Sequence, residues 1–329
     1  MSGPDLKTLT SYFRLMNTNG AAQAYHAALH AGVLSAMDSG PQSSEQIART
    51  CGLQEHPTAL LLDALRAMGV VQRSDSKYQL AEVARMLLYS EYRELGNQYW
   101  HALPDFLKTG EPIRKMDDVT KSEESYQTQA AMLGWMLSHA AEAAATALTA
   151  KSPRHDLRIL DVGAGSAVWS LSIARRDAES HVTAVDWLSI LEVAKETART
   201  FGLPERLTTI AGNFHEVELP ANAFDLAIVA NVTHLQTAEE NAGLFARIHR
   251  CLTSDGQIVV IDAFPGASEG NVPFALYHLG LALRTQNGKV YSSEAIRSML
   301  QSQGFEAGTL TPLDVPPFMV GMLVARALK

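Results

Sequence analysis

Cysteine is nearly absent from this 329-residue chain: there are two, Cys51 and Cys251, far apart. That excludes a disulfide framework and any metal site built on clustered thiolates, and suits a reducing, cytoplasmic setting. No run approaches the roughly 18–20 apolar residues that a membrane span needs. The first twenty residues also lack the apolar core of a signal peptide. A basic excess is missing too: 27 Lys and Arg stand against 35 Asp and Glu, for a net charge of −8. Residues 1–150 and 151–329 share that deficit equally, so neither part offers the positive footprint of a nucleic-acid binder. There is no Walker-type GKS or GKT, no internal repeat and no low-complexity tract. With 47% apolar and 19% charged residues, what remains is a globular protein of about two domains.

Residues 1–150 read as helical. The stretch YFRLMNTNGAAQAYHAALHAGVL spaces its apolar residues as one helix. In SSEQIARTCGL a serine is followed by Glu45, a helix start. HPTALLLDALRAMGVV starts near Pro57 and ends at Gly69. VVQRSDSKYQL reads as two short strands around Ser74-Asp75-Ser76, so helices followed by a small hairpin make a winged-helix pattern. QTQAAMLGWMLSHAAEAAATALTA is one long helix. The polar break Lys151-Ser152-Pro153-Arg154 sets the domain boundary at 150/151. Beyond it, strands (RILDV, HVTAVD, RLTTIAG, FDLAIVAN, GQIVVIDAF) alternate with helices, the pattern of an α/β domain whose mostly parallel sheet is covered on both faces. Two last runs, near 305–310 and 318–326, read as strands.

The chemistry concentrates at RILDVGAGSAVWSLSIA. A strand ending in Asp161 and Val162 meets a loop holding Gly163 and Gly165, and a helix begins near Ala167. Glycines there let backbone N–H groups approach a ligand. Asp186 ends the next strand, where an acid can accept from both hydroxyls of a ribose. On these residues the chain resembles the class I S-adenosylmethionine-dependent methyltransferases. Its whole layout resembles their dimeric small-molecule O-methyltransferase branch, the plant caffeate and flavonoid type with bacterial relatives. The resemblance implies a Rossmann-like seven-stranded C-terminal domain and a winged-helix-like N-terminal dimerisation domain, with helices such as 21–34 and 80–88 buried between subunits.

It also implies roles. Asp161, Gly163 and Gly165 would hold the methionine end of S-adenosylmethionine, Asp186 the ribose, and Asn213 with Phe214 the adenine, with Trp187 covering it and Asn231 also on the cofactor. No metal is implied. The segment Asn231-Val232-Thr233-His234-Leu235-Gln236 matches the one carrying the family's catalytic base, which makes His234 the base and Asp262, at the end of GQIVVIDAF, its helper. Histidine suits the role because its ordinary pKa of about 6.5 leaves it largely neutral at cellular pH. The chain departs from the family's pattern at Asn213, Leu235 and Val290, where acids are usual. Met132, Trp135, Met136, Phe264, Tyr277, His278 and Tyr291 are candidates to enclose a flat acceptor. The expected activity is methyl transfer to a hydroxyl of a small aromatic or polyketide-like acceptor. C- or N-methylation, and a non-methylating use of the same cofactor, stay open. A transcriptional regulator is disfavoured, since residues 1–90 carry seven basic and seven acidic side chains.

Overall fold

The computed structural model describes residues 3–90, 92–151, 155–265 and 272–329. The chain divides into two compact units, 1–98 and 99–329.

In the first unit, helix α1 (Leu6–His30) opens at Asp5, whose carboxylate accepts the Thr8 N–H at 2.8 Å. It starts earlier than the apolar spacing suggests and ends before Gly32, which takes φ +75°. Helices α2 (Ser44–Cys51) and α3 (Glu55–Ala67) follow. The cap of α2 is Ser43, and its reciprocal partner is Gln46 rather than Glu45, because only the third helical residue reaches back to the cap N–H. Strands β1 (Val71–Ser74) and β2 (Lys77–Leu80) form the expected hairpin, and α4 (Glu82–Leu88) completes the unit. Its two turn residues, Asp75 and Ser76, both have positive φ, the mirror-image turn that matches strand twist.

The core of this unit is Tyr25, Leu29, Val33, Leu34, Ile47, Leu62, Leu65, Val71 and Tyr78. That corrects the expectation that the apolar residues of segment 21–34 lie between subunits: Tyr25, Ala28, Leu29, Val33 and Leu34 are buried within their own chain. The exposed apolar residues of α1 lie earlier, at Leu6, Leu9, Tyr12, Phe13, Leu15 and Met16.

A short helix, α5 (Asn97–His101), spans the join and leads to α6 (Leu103–Thr109), α7 (Val119–Gln127) and α8 (Ala130–Lys151). The long helix expected from Gln127 thus begins three residues later. Ala140, Ala141, Ala144, Ala145 and Leu148 of α8 share a core with Ile159, Leu171 and Ile173. Their small side chains let α8 lie close to the sheet domain, so packing divides the chain at 98/99 rather than at the polar break. Ser152, Pro153 and Arg154 lie outside the described residues.

The second unit is built on a seven-stranded sheet, with β3 (Arg158–Val162), β4 (His181–Asp186), β5 (Leu207–Ala211), β6 (Phe224–Ala230), β7 (Leu252–Ala263), β8 (Thr309–Pro312) and β9 (Val320–Arg326) in the order β5-β4-β3-β6-β7-β9-β8. The first five are parallel, and β9 runs antiparallel to both β7 and β8. Helices α9 (Val168–Ala174), α10 (Leu188–Thr200), α11 (Ala238–Cys251), α12 (Val272–Ala282) and α13 (Ser293–Ser302) complete it. Two separate apolar clusters pack on the sheet, one with Ile159, Leu226 and Val259, the other with Leu160, Ala227 and Val260. Alternate residues of each strand thus serve opposite faces, as a sheet covered on both sides requires. The strand expected near 305–310 is displaced: Phe305 is buried and bridges Ala327, and β8 begins at Thr309. Among the described residues no helix is long and apolar enough to cross a membrane.

Candidate functional site

Chain order reverses beside β3: β4 and β5 are laid down on one side of it, β6 and β7 on the other. In such a sheet the crevice lies at the carboxyl ends of the strands flanking the reversal. Parallel pairing brings five of these ends to one edge. They are Val162-Gly163, Asp186, Ala211-Gly212-Asn213, Ala230-Asn231 and Asp262.

The glycine loop is held tightly. Gly163, Gly165 and Ala167 all have positive φ. A Cβ on Gly163 would stand 2.7 Å from Val232 Cγ2 and 3.5 Å from the Phe214 ring, so this glycine is required by packing. At Gly165 nothing lies within 4 Å of a built Cβ: the loop faces open space there. The Gly165 N–H donates to Asp186 Oδ2 at 2.8 Å and the Trp187 N–H to Oδ1 at 2.7 Å. Each oxygen keeps a further lone pair. Burial pushes the Asp186 carboxyl above its ordinary range against the pull of these two N–H groups, and Glu123 adds to the rise. Asp161 is fully buried, and burial drives its pKa up to about 7, with the neighbouring Asp186 adding to it and a Ser170 hydroxyl at 2.5 Å opposing. Helix α8 meets this loop at Gly134, where a Cβ would stand 2.8 Å from Ser166 Cβ. Gly134 was not singled out from sequence, since a glycine inside an alanine-rich helix gives no local sign of what it approaches.

Asn213 closes a turn. Its Oδ1 accepts from the His215 N–H at 3.0 Å and its amide donates to Glu216 at 3.1 Å. Phe214 packs beside Gly163 and the His215 ring, and Trp187 begins α10. Asn231 has φ +56° at the end of β6, a conformation asparagine tolerates, and its N–H donates to Ile261 O.

His234 sits in a single helical turn, Thr233–Leu235, and is buried. Its Nδ1 lies 2.7 Å from Asp262 Oδ1. The Thr233 hydroxyl and the His234 N–H both donate to Asp262 Oδ2, at 2.5 and 3.2 Å, and the Ala263 N–H donates to Oδ1 at 2.8 Å. Burial works to raise the Asp262 carboxyl, but the His234 ring, the Thr233 hydroxyl and the Ala263 N–H outweigh it and hold it below its ordinary value. An ionised carboxylate only accepts. Nδ1 therefore carries a hydrogen, and Nε2 lies 3.4 Å from the Tyr277 hydroxyl on α12. Fully buried Asn241 supports the turn from beneath by donating to Thr233 O at 2.9 Å. Sequence reading missed both Thr233 and Asn241, because their partners are fixed only by the fold.

The acceptor candidates scatter. Tyr277 meets His234. Phe264 and Tyr291 are buried in the sheet core, and the Tyr291 hydroxyl donates to Gln236 O at 2.9 Å, so both are framework. Met132 is buried, whereas Trp135 and Met136 are 42% and 40% exposed. His278 is exposed beside Phe274. Val290 is buried, and Asp262 is the one carboxylate on His234 among the described residues. Among the described residues no group of three or more His, Cys, Asp or Glu is arranged to hold a metal ion.

Comparison with known proteins agrees with this layout. An O-methyltransferase dimerisation domain matches residues 13–90 and a methyltransferase domain residues 159–256. The chain is 24% identical to an L-tyrosine C(3)-methyltransferase from Streptomyces lavendulae, over 90% of this chain and 86% of that protein. It is 22% identical to a 3-hydroxy-5-methyl-1-naphthoate 3-O-methyltransferase from Streptomyces sahachiroi, covering 86% and 85%. Its fold is shared with the crystal structure of an O-methyltransferase-like protein from Nostoc punctiforme, at a TM-score of 0.74 and 24% identity over 99% of this chain and 100% of that one. With a dimerisation domain before a methyltransferase domain, and full-length relatives of the same build, the chain belongs to the S-adenosylmethionine-dependent O-methyltransferase family and is a methyltransferase of small molecules.

Proposed function

We propose that this enzyme methylates a hydroxyl of a small aromatic or polyketide-like acceptor, with His234 as general base. The observation that carries the reading is the His234–Asp262 pair, 2.7 Å apart at the same sheet edge as the glycine loop. The residues present suit the cofactor: Gly165 fronts open space, and Asp186 keeps acceptor capacity for two hydroxyls. Asp161, Gly163 and Gly165 would face its methionine end, Asp186 the ribose, Phe214 with Trp187 the adenine side, and Asn231 would also line the cofactor. Asn213 would contribute through the turn it closes more than through a side chain already engaged. When bound, S-adenosylmethionine supplies an electrophilic methyl group on a positively charged sulfur. Asp262 keeps His234 in the Nδ1–H form and stabilises the imidazolium that forms once Nε2 has taken the acceptor's proton. Holding the acceptor oxygen in line contributes the rest, as an entropy trap.

Leu235 and Val290 leave His234 with a single acid, and this favours a second reading. Carbon or nitrogen methylation asks less of a base, and the Streptomyces lavendulae relative is named for methylation at carbon. The first unit would join two copies of the chain.

The test is calorimetric titration with S-adenosylhomocysteine followed by an acceptor screen. Asp186→Ala should abolish cofactor binding in a folded protein. His234→Ala should keep cofactor affinity and lose roughly 10²-fold or more of methyl transfer. Undiminished transfer by His234→Ala would refute the base and leave carbon or nitrogen methylation, which carbon-13 NMR of the transferred methyl identifies.

A further inference from the structure

Helix α10 starts directly after Asp186 and has no cap of its own. Its N-cap residue is Trp187, whose indole can donate but not accept, and its first turn holds no acid. The first N–H groups of a helix need an acceptor from elsewhere. Here it comes from a residue 66 positions upstream: Glu123 on α7 accepts the Ser189 hydroxyl at 2.7 Å and the Ser189 N–H at 3.4 Å, both through Oε1. Ser189 is the second residue of α10. The Glu123 carboxylate therefore stands in for the side chain of a capping serine or aspartate, at the end of the helix where negative charge is favoured.

The turn capped in this way is the one that arranges Asp186. The Trp187 N–H donates to Asp186 Oδ1 at 2.7 Å, and the Trp187 carbonyl accepts from the Ile190 and Leu191 N–H groups, both at 3.0 Å. Trp187 is thus tied to Asp186 on one side and to the first turn of α10 on the other, and Glu123 fastens that turn. Glu123 also helps to raise the Asp186 carboxyl, so its charge reaches the same place. Helix α7 is followed by α8, which approaches Ser166 of the glycine loop at Gly134. One stretch of chain therefore meets both turns that flank the cleft, at Ser189 and at Ser166.

We propose that Glu123 is a positioning residue for S-adenosylmethionine: from α7 it fixes the first turn of α10, and with it the Asp186 carboxylate in the arrangement that receives the ribose hydroxyls. Glu123 acts through Ser189 and not by touching the cofactor. A cap lost from this turn leaves Asp186 and Trp187 to be ordered at the moment of binding, and that ordering weakens affinity. The proposal rests on the reading in which Asp186 holds the ribose.

Calorimetric titration of the full chain with S-adenosylhomocysteine tests this without an acceptor. Glu123→Ala should bind roughly three- to tenfold more weakly, the range set by loss of a helix cap. Glu123→Gln, whose amide oxygen can still accept the Ser189 hydroxyl, should lose less. Ser189→Ala should weaken binding as well, and adding Glu123→Ala to it should cost less than in the wild type, because the two residues act as one contact. Circular dichroism would check that each variant is folded. Unchanged affinity in Glu123→Ala, even with a lower thermal midpoint, would overturn the proposal and leave Glu123 a cap for stability alone. Fully additive losses in the double variant would also overturn it, since Glu123 would then reach the cofactor by a route that bypasses Ser189. Failure of the wild type to bind S-adenosylhomocysteine is a different result: it would strike the cofactor site itself, and this proposal with it.

Discussion

Asp161 and Asp262 are both fully buried, yet they answer burial in opposite ways. Asp262 is surrounded by donors and by an imidazole, so its carboxylate form is favoured. Asp161 has one hydroxyl partner and an acidic neighbour, so it favours the proton, with a pKa of about 7. The sign of the consequence follows. A carboxyl raised in the folded state makes its full contribution to stability below its unfolded pKa and loses it as pH rises toward 7. The slope is about 1.4 kcal/mol per pH unit. Asparagine mimics the protonated form without titrating. Urea unfolding of the cofactor-free protein at pH 5, 6 and 7 should therefore show Asp161→Asn gaining on the wild type by about that amount per unit. A pH-independent difference would mean that Asp161 is ionised throughout. Sequence identified both acids by their places at strand ends. The opposite environments were illegible there, because Ser170 and Thr233 become their partners only through folding.

At the scale of elements, the site is a set of strand ends closed by turns. Gly163 and Gly165 look equivalent in sequence and share a left-handed backbone, but their surroundings differ. An alanine at Gly163 meets Val232 and adds overpacking of roughly 1–3 kcal/mol to backbone strain of about 1–2 kcal/mol. At Gly165 only the strain applies. Gly163→Ala should therefore lower the thermal midpoint clearly more than Gly165→Ala, while Gly165→Ala should still lose cofactor affinity because its methyl group enters the open space before the loop. Differential scanning fluorimetry and calorimetry separate the two effects, and equal midpoints would refute the packing argument. Most elements were legible because alternation, caps and turn residues are local. The exceptions have physical causes. Helix α12 is apolar almost all round and shows no helical periodicity. Near 305–310 the chain pairs only at Phe305, by a single bridge to Ala327, before β8 begins at Thr309, and Phe305 itself is held in the core.

At the scale of the whole molecule, the first helix bears on assembly. Leu6, Leu9, Tyr12, Phe13, Leu15 and Met16 expose apolar surface along the first half of α1, and grouped exposed apolar side chains mark interaction sites. The match of residues 13–90 to a dimerisation domain makes a second copy the fitting partner. Light scattering should give twice the chain mass, and Phe13→Asp with Met16→Asp should give a folded monomer. A dimer that persists in that double variant would move the interface elsewhere.

Sequence by itself determined the α/β class, the order of the strands along the chain and the glycine loop, because each depends on residues close together in the chain, and it marked His234, Asp262 and Asp186 as candidates. Only tertiary structure decided which of two equivalent glycines is packed, which aromatic residues became framework, and that Asn213 spends its side chain on its own turn. It also joined α8 to the second unit and set Glu123 on the first turn of α10. Those outcomes depend on contacts between residues far apart in sequence, where no local pattern exists to be read.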